Sequence, residues 1–265
     1  MTGRPLRSVA KRLLYRAPLR AVGSRLRPRA VVLLYHRVAA PTRDPHGQAV
    51  PLDTFESHLE LLQREYHVAA LPDLVAQLPR PTYRDRTVAV SFDDGYVDNL
   101  TAAYPAAARL GVPITVFVTV QPVLDGAPFH WDEAAPESGR PLTPQELRRL
   151  ALLPGVTIGS HTMNHSRLSA VSPEDQEREL TASKARLEEL TGRPVTLFAY
   201  PFGKPADLGP ETPRLAESAG YRAAFLSQAG RIVPSSPLFQ LPRLSVHDWP
   251  AEALARRLEE IFGSN

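Results

Sequence analysis

The chain contains no cysteine among its 265 residues. This absence excludes disulfide bonds, cysteine-ligated zinc, iron–sulfur clusters and thiol nucleophiles. There is also no run of 18 or more apolar residues, so the sequence predicts no membrane-spanning helix. With 43% hydrophobic and 22% charged residues, the composition is typical of a globular protein and not of a disordered or fibrous one.

Acidic residues are missing from residues 1–30, which hold nine lysines and arginines. Residues 31–265 then carry 22 basic and 28 acidic residues, a net charge of −6. The positive charge of the whole chain therefore belongs to a short segment attached to a mildly acidic body, and this argues against nucleic acid as a partner. We predict a basic N-terminal extension over residues 1–29 and a single folded domain over 30–265.

The basic extension lacks the continuous apolar core of a secretory signal peptide. Its apolar residues recur at helical spacing between the basic ones until Pro18 interrupts the pattern. A basic amphipathic helix of this kind can lie on an anionic membrane surface, but a solvated tail without a partner fits the same pattern. We expect the protein in the cytoplasm or at the cytoplasmic face of the membrane.

From residue 30 onward, apolar runs of strand length alternate with amphipathic helical stretches, such as the strand predicted over Ala30–Tyr35 and the helix over Tyr96–Leu110. Thr143, followed by a proline and then by Glu146, is typical of a capped helix start. Gln121–Leu142 has many glycines and prolines and predicts a long loop. The alternation predicts a mostly parallel sheet, and the absence of a GxGxxG motif favours a barrel over a dinucleotide-binding sheet.

Reactive side chains of such barrels lie at the carboxyl ends of the strands. His161 and His165 follow one predicted strand, and one turn of chain would bring both imidazoles to a metal ion with an open position for water. Asp93 and Asp94 follow another, and adjacent extended residues point in opposite directions, so one carboxylate can bind metal while the other takes a proton. Surface histidines and an acidic helix N-cap are the ordinary explanations. Together the two motifs favour a metal-dependent hydrolase.

Three short blocks resemble, in order, the motifs of the polysaccharide deacetylase family, carbohydrate esterase family 4. They are SFDDG at Ser91–Gly95, HTMNH at His161–His165 and YPFG at Tyr200–Gly203. A fourth block, YHRV at Tyr35–Val38, resembles the opening of the branch near poly-N-acetylglucosamine deacetylases. The resemblance covers roughly residues 30–250 and implies an α/β fold, a distorted (β/α)7 barrel, that removes acetyl groups from N-acetylated sugars with the help of a metal ion.

By motif position, the resemblance implies that Asp93 is the general base. It implies that Tyr200 and Phe202 contact the reacting group, with the backbone N–H of Phe202 stabilising the oxyanion. Zinc is the usual cation, and Co²⁺ or Ni²⁺ suits the same set of nitrogen and oxygen ligands. The implied metal ligands are Asp94, His161 and His165.

The sequence departs from the family pattern at two points. Ala199 stands where the family often has an arginine that orients the base aspartate. Arg243 is our candidate for this role, with Arg37 as a rival and a purely structural ion pair as the alternative. His247 is our candidate general acid, with an exposed loop histidine as the alternative.

Three further side chains are candidates for substrate contacts, with ordinary packing as the alternative for each. His36 follows the first predicted strand and should face the mouth of the barrel. Trp131 would stack on a sugar ring, and Trp249 would wall the acetyl pocket.

The leading hypothesis is a metal-dependent carbohydrate N-deacetylase whose partner is an N-acetylated carbohydrate. A hydrolase of another amide or imide bond on the same scaffold stays open, because a fold does not fix its substrate. An inactive sugar-binding scaffold, or a membrane-surface adaptor that uses the basic extension, stays open as well.

Overall fold

The structure is a computed structural model, and it describes residues 28–263 with the exception of residues 42, 45 and 133–138. Most of the predicted extension over residues 1–29 therefore lies outside the described residues. Within the described ranges, no helix is both long enough and apolar enough to cross a membrane.

The described chain alternates short strands with helices, as the sequence pattern predicts. The strands are β1 (Ala30–Tyr35), β2 (Arg37–Val38), β3 (Ala49–Val50), β4 (His67–Val68), β5 (Thr87–Phe92), β6 (Ile114–Val118), β7 (Val156–Ser160), β8 (Leu197–Ala199), β9 (Ala223–Phe225) and β10 (Leu244–Ser245). The α-helices are α1 (Leu52–Glu65), α2 (Leu71–Gln77), α3 (Tyr104–Arg109), α4 (Val120–Asp125), α5 (Pro144–Ala151), α6 (Pro173–Thr191), α7 (Thr212–Ser218) and α8 (Ala251–Gly263).

A parallel sheet in the order β10-β1-β5-β6-β7-β8-β9 forms the centre of the domain, and β4 pairs with the start of β5. The sheet curls until its two edges meet at the segment 241–246. Leu241 pairs in parallel with Phe225 of β9, and Leu244 pairs with Leu33 of β1. The predicted single-domain, distorted (β/α)7 barrel is confirmed.

The central strands are buried on both faces, which explains their continuous apolar sequences. All six residues of β1 are buried, and so are all six of β5. Alternate residues of β1 enter different clusters. Leu33 and Tyr35 pack in the cluster that includes Phe55 of α1, whereas Val32 packs with Phe117 and Phe225.

Local signals predict some helix boundaries correctly. The Thr143 side chain accepts a hydrogen bond from the Glu146 N–H, and the Glu146 carboxylate accepts one from the Thr143 N–H, so the predicted capping box at the start of α5 is confirmed. The prediction of one long loop over residues 121–142 is wrong, because this region contains α4 and a 3-10 turn at His130–Asp132. Helix α4 buries Val120 and Val123 and ends at Gly126, whose φ is 67°.

The helix predicted over Tyr96–Leu110 is divided into a π-helical turn at Asn99–Ala103 and α3. Pro105 lies in the first turn of α3 and has no N–H to donate to the preceding turn of a continuous α-helix. The chain therefore widens before the proline, and a single α-helix does not form.

Candidate active site

Strained backbone marks the carboxyl ends of β5, β7 and β8. Four non-glycine residues there have φ between 58° and 73°, a region that costs roughly 1–3 kcal/mol per residue and is frequent at functional sites. They are Asp94, Thr162, His165 and Phe202. Each lies in one of the three motifs that the sequence analysis singles out.

The loop after β5 brings two carboxylates into the barrel mouth. The Asp93 N–H donates to the Tyr35 carbonyl at 2.9 Å, and the Asp94 carbonyl accepts from the Thr119 N–H at 3.1 Å. Gly95 follows with a φ of 89°, and a Cβ at this position would lie 3.1 Å from Val118 Cγ1. The tight turn therefore requires glycine, and it fixes both aspartates, each no more than 3% exposed.

A carboxylate and two imidazoles converge at this point. One ligand atom from each of Asp94, His161 and His165 lies within 4.8 Å of the other two. The Nε2 atoms of His161 and His165 are 3.6 and 3.7 Å from Asp94 Oδ1. A set of two imidazole nitrogens and one carboxylate oxygen, which would leave positions for water and substrate, is typical of a catalytic metal centre.

The electrostatics of the cluster fit a bound cation. His161 Nδ1 lies 2.8 Å from the Ala199 carbonyl, which can only accept, so Nδ1 carries the proton and Nε2 presents its lone pair to the cluster. Burial lowers the pKa of His161 and keeps the ring neutral. Burial, together with repulsion from Asp93 and Asp132, raises the pKa of Asp94 well above its usual range. A positive charge beside Asp94 would offset this penalty.

Asp93 is held by Arg243 and not by Arg37. The two terminal nitrogens of Arg243 donate one hydrogen bond each, both of 2.7 Å, to the two carboxylate oxygens of Asp93. Burial alone would raise the pKa of Asp93, but the charge of Arg243 and the hydrogen bonds of its guanidinium lower it overall. Arg37 instead donates to Asp98 at 3.0 Å.

A cavity of about 800 Å³ opens above these residues. It brings together nearly all the side chains that the sequence analysis nominates. Its walls include His36, Asp93, Asp94, Trp131, His161, His165, Tyr200, Phe202 and His247. Arg243 lies beneath them and is fully buried.

Trp249 lies elsewhere, and this corrects the expectation that it walls the acetyl pocket. The backbone N–H of Trp249 donates to the His247 carbonyl at 2.7 Å, so the chain turns sharply after His247. The indole packs under the Arg257 guanidinium, 4.0 Å from the ring centre, and lines a neighbouring groove of about 450 Å³.

Trp131 is fixed in orientation against His165. Its indole N–H donates to the Tyr96 hydroxyl at 2.8 Å, and that hydroxyl donates to Asp132 at 2.5 Å. Its ring stacks on Phe129 and lies 4.5 Å from the ring of His165. The tryptophan therefore forms a rigid wall of the cavity.

His247 lies at the exposed rim of the cavity. Its Nδ1 lies 2.7 Å from the Gly47 carbonyl, so Nδ1 donates and Nε2 is the atom left to exchange a proton with a ligand. Tyr200 is buried at the floor, where its hydroxyl donates to the Phe239 carbonyl at 2.9 Å. The Tyr200 hydroxyl is therefore bound to a residue outside the cavity lining.

Sequence reasoning missed several polar residues of the cavity wall, including Arg167, Lys204 and Asp207. Arg167 forms an ion pair with Asp207, and its guanidinium lies 4.0 Å from the ring centre of Phe202. Arg167 lies two positions beyond the HTMNH block, and Lys204 directly follows YPFG. Their closeness in sequence to the two motifs is the signal that could have identified them as residues of the cavity wall.

Comparisons with known proteins agree with the geometry. Residues 80–224 match the sequence model of the family described as polysaccharide deacetylase. The protein YxkH of Bacillus subtilis (strain 168) is 26% identical over 219 residues, which cover 81% of this chain and 70% of that protein.

Two solved structures show the same fold. The deacetylase PplD of Streptococcus pyogenes superposes with a TM-score of 0.72 at 21% identity, over 88% of this chain and 99% of the other. IcaB from Ammonifex degensii superposes with a TM-score of 0.73 at 21% identity, over 87% of this chain and 97% of the other.

Proposed function

The chain belongs to the polysaccharide deacetylase family, whose enzymes act on amide bonds of carbohydrates, and from this premise we propose that it is a metal-dependent carbohydrate N-deacetylase with Asp93 as general base. One observation carries the proposal. The three potential ligands Asp94, His161 and His165 converge within 4.8 Å beside a fourth side chain, Asp93, that is oriented by its own arginine. A passive sugar-binding scaffold would need no such arrangement.

Asp94, His161 and His165 would hold the cation, and zinc suits their nitrogen and oxygen donors best, with Co²⁺ or Ni²⁺ as substitutes. When bound, such an ion polarises the acetyl carbonyl and makes a water molecule more acidic. The neutral state of His161 and the fixed position of its Nε2 atom prepare the site for this ligand.

Asp93 accepts the proton of the attacking water in this proposal. The low pKa of Asp93 keeps it ionised, which a proton acceptor requires, and the paired hydrogen bonds from Arg243 set the plane of its carboxylate. His161 Nε2 lies 3.9 Å from Asp93 Oδ2, so the base borders the metal ligands without belonging to them.

His247 and Phe202 complete the proposed mechanism. His247 Nε2 donates a proton to the nitrogen of the departing sugar amine, while the Gly47 carbonyl holds the ring at Nδ1. The backbone N–H of Phe202, in a loop strained to a φ of 62°, stabilises the oxyanion. His36, Trp131 and Tyr200 contact the sugar or its acetyl group as walls of the cavity.

The cavity is compatible with this substrate class. A volume of about 800 Å³ lies within the usual range of roughly 300–1,000 Å³ for small-molecule sites and accommodates a sugar residue with its acetyl group. The related PplD was solved in complex with acetate, the product that the proposed reaction releases.

The experiment is acetate release from a panel of N-acetylated sugars by metal-stripped and zinc-restored protein. Chitooligosaccharides, poly-N-acetylglucosamine, peptidoglycan fragments and nucleotide- or lipid-linked N-acetylglucosamine form the panel. We expect zinc-dependent acetate from one class, and its release should be about 10²- to 10⁴-fold slower with Asp93→Asn. Bound zinc without acetate from any sugar would favour another amide or imide, and the absence of bound zinc would favour an inactive scaffold.

A further inference from the structure

The loop that carries His165 is hydrogen-bonded to one buried carboxylate, that of Glu179 in α6. Oε2 of Glu179 accepts from the backbone N–H groups of Met163 and Asn164 at 2.8 and 3.0 Å. Oε1 accepts from Asn164 Nδ2 at 2.7 Å and from the Ser166 hydroxyl at 3.0 Å. Four donors therefore converge on a single side chain that is only 9% exposed.

Three other backbone groups of this loop are also hydrogen-bonded. The His165 N–H donates to the Thr162 hydroxyl at 3.0 Å. The carbonyls of Thr162 and Met163 accept from the first N–H groups of α4, at 3.2 and 2.8 Å. Thr162 and His165 nevertheless have positive φ, so the surrounding contacts must outweigh a local cost of roughly 1–3 kcal/mol at each residue.

We propose that Glu179 is a positioning residue that sets the metal affinity of the site by fixing the loop of His165. This inference rests on the metal centre of the proposed function. His161 needs no such support, because it directly follows β7 and its ring is fixed by the Ala199 carbonyl. Glu179 therefore acts chiefly on one of the three ligands.

A carboxylate matches all four contacts, because each of the four partners donates as the loop is arranged. Two of the partners are backbone N–H groups and one is an amide NH₂, which can only donate. A glutamine at position 179 offers one acceptor oxygen in place of two and turns an NH₂ group toward other donors. All four hydrogen bonds then lose their charged acceptor, and the second pair survives only if the Asn164 amide rotates and the Ser166 hydroxyl accepts, although the volume of the side chain is unchanged.

The test is the zinc affinity of the full chain, measured by competition with a chromogenic chelator. We expect Glu179→Gln to bind zinc about 10- to 100-fold more weakly than the unchanged protein, as is usual when a group that orients a ligand is removed. The matched control is Glu177→Gln, an exposed position on the same helix, which should bind zinc as the unchanged protein does. The visible spectrum of the Co²⁺-loaded protein should change for Glu179→Gln alone, a signature that a purely structural role would not alter.

A second variant keeps the test decisive if Glu179→Gln does not fold. Asn164→Ala removes one of the four hydrogen bonds at an exposed residue, and we expect zinc binding to weaken by about 2- to 10-fold. Zinc affinity within twofold of the unchanged protein in every folded variant would overturn the inference alone. If the unchanged protein bound no zinc, the proposed metal centre would be wrong, and this inference with it.

Discussion

Arg243 and Asp93 are 150 residues apart in sequence and form a fully buried bidentate ion pair. Arg243 lies on the segment 241–246, which joins the two edges of the barrel, and its Nε also donates to the Leu226 carbonyl at 2.9 Å. Closure of the barrel therefore places the Arg243 guanidinium against Asp93, the proposed base. The fold supplies in this way the arginine that the third motif lacks at Ala199.

We expect Arg243→Lys to lower kcat/KM by on the order of tenfold or more while zinc stays bound. Lysine keeps the charge but cannot donate two parallel hydrogen bonds to one carboxylate. Arg243→Ala should also lower the free energy of unfolding by roughly 3–5 kcal/mol, because it leaves Asp93 buried without its counter-charge. Kinetics and urea unfolding measure the two effects, with Arg64→Ala on the exposed face of α1 as control. A fully active Arg243→Lys would contradict the orienting role.

Asp93→Asn should lower turnover by about 10²- to 10⁴-fold, the usual contribution of a general base, while zinc stays bound. Asparagine has nearly the same shape but cannot accept the proton. Acetate release and metal content are measured on the same preparation. If the variant turned over at the full rate, the assignment of the base would be wrong.

His161→Ala should lose zinc, and activity should fall with it. His161 is one of the three proposed ligands and lies 3.6 Å from the carboxylate of a second, so its removal leaves only two donors. Metal content after dialysis checks this outcome. Retention of stoichiometric zinc at unchanged affinity would show that the ion binds elsewhere.

His247→Ala should lower kcat by about 10²- to 10⁴-fold without loss of zinc. The side chain lies at the rim of the cavity and outside the cluster of ligands, so binding and proton donation can be separated here. A substrate with an activated leaving group needs no general acid and should be much less affected by this substitution. A loss smaller than tenfold on the natural type of amide would exclude His247 as the acid.

Short-range motifs made part of the candidate site predictable from sequence. Asp93, Asp94, His161 and His165 each follow an apolar strand, and parallel strands place their carboxyl ends at one edge of the sheet. The choice between Arg37 and Arg243 could not be made in the same way, because it depends on a contact between the loop after β5 and the segment 241–246, which are far apart in sequence. Trp249 was misplaced because a tight turn after His247 redirects its side chain.

Glu179 shows a different limit of sequence reasoning. It lies on α6 among several other acidic residues, and nothing in the local pattern distinguishes it from an exposed helix glutamate such as Glu177. Only the packing of α6 against the loop after β7 reveals four donors around its carboxylate. Helix α4 shows the same limit. Its glycine- and proline-rich surroundings predict a loop, and only the packed structure shows that Val120 and Val123 are buried on one side of a helix.

His36 should make the stability of the protein depend on pH. Burial lowers its pKa to about 4, against an ordinary value of 6.5. Between pH 6.5 and 4 the unfolded chain therefore binds a proton that the folded chain does not, so folding stability falls as the pH falls through this window.

The variant His36→Gln lacks this pH-dependent loss of stability. In the presence of EDTA, its free energy of unfolding relative to the unchanged protein should improve by roughly 2 kcal/mol between pH 7.5 and pH 4.5. Urea unfolding at both pH values measures the change. Parallel curves for the two proteins would mean that His36 is protonated as readily in the folded state as in the unfolded one.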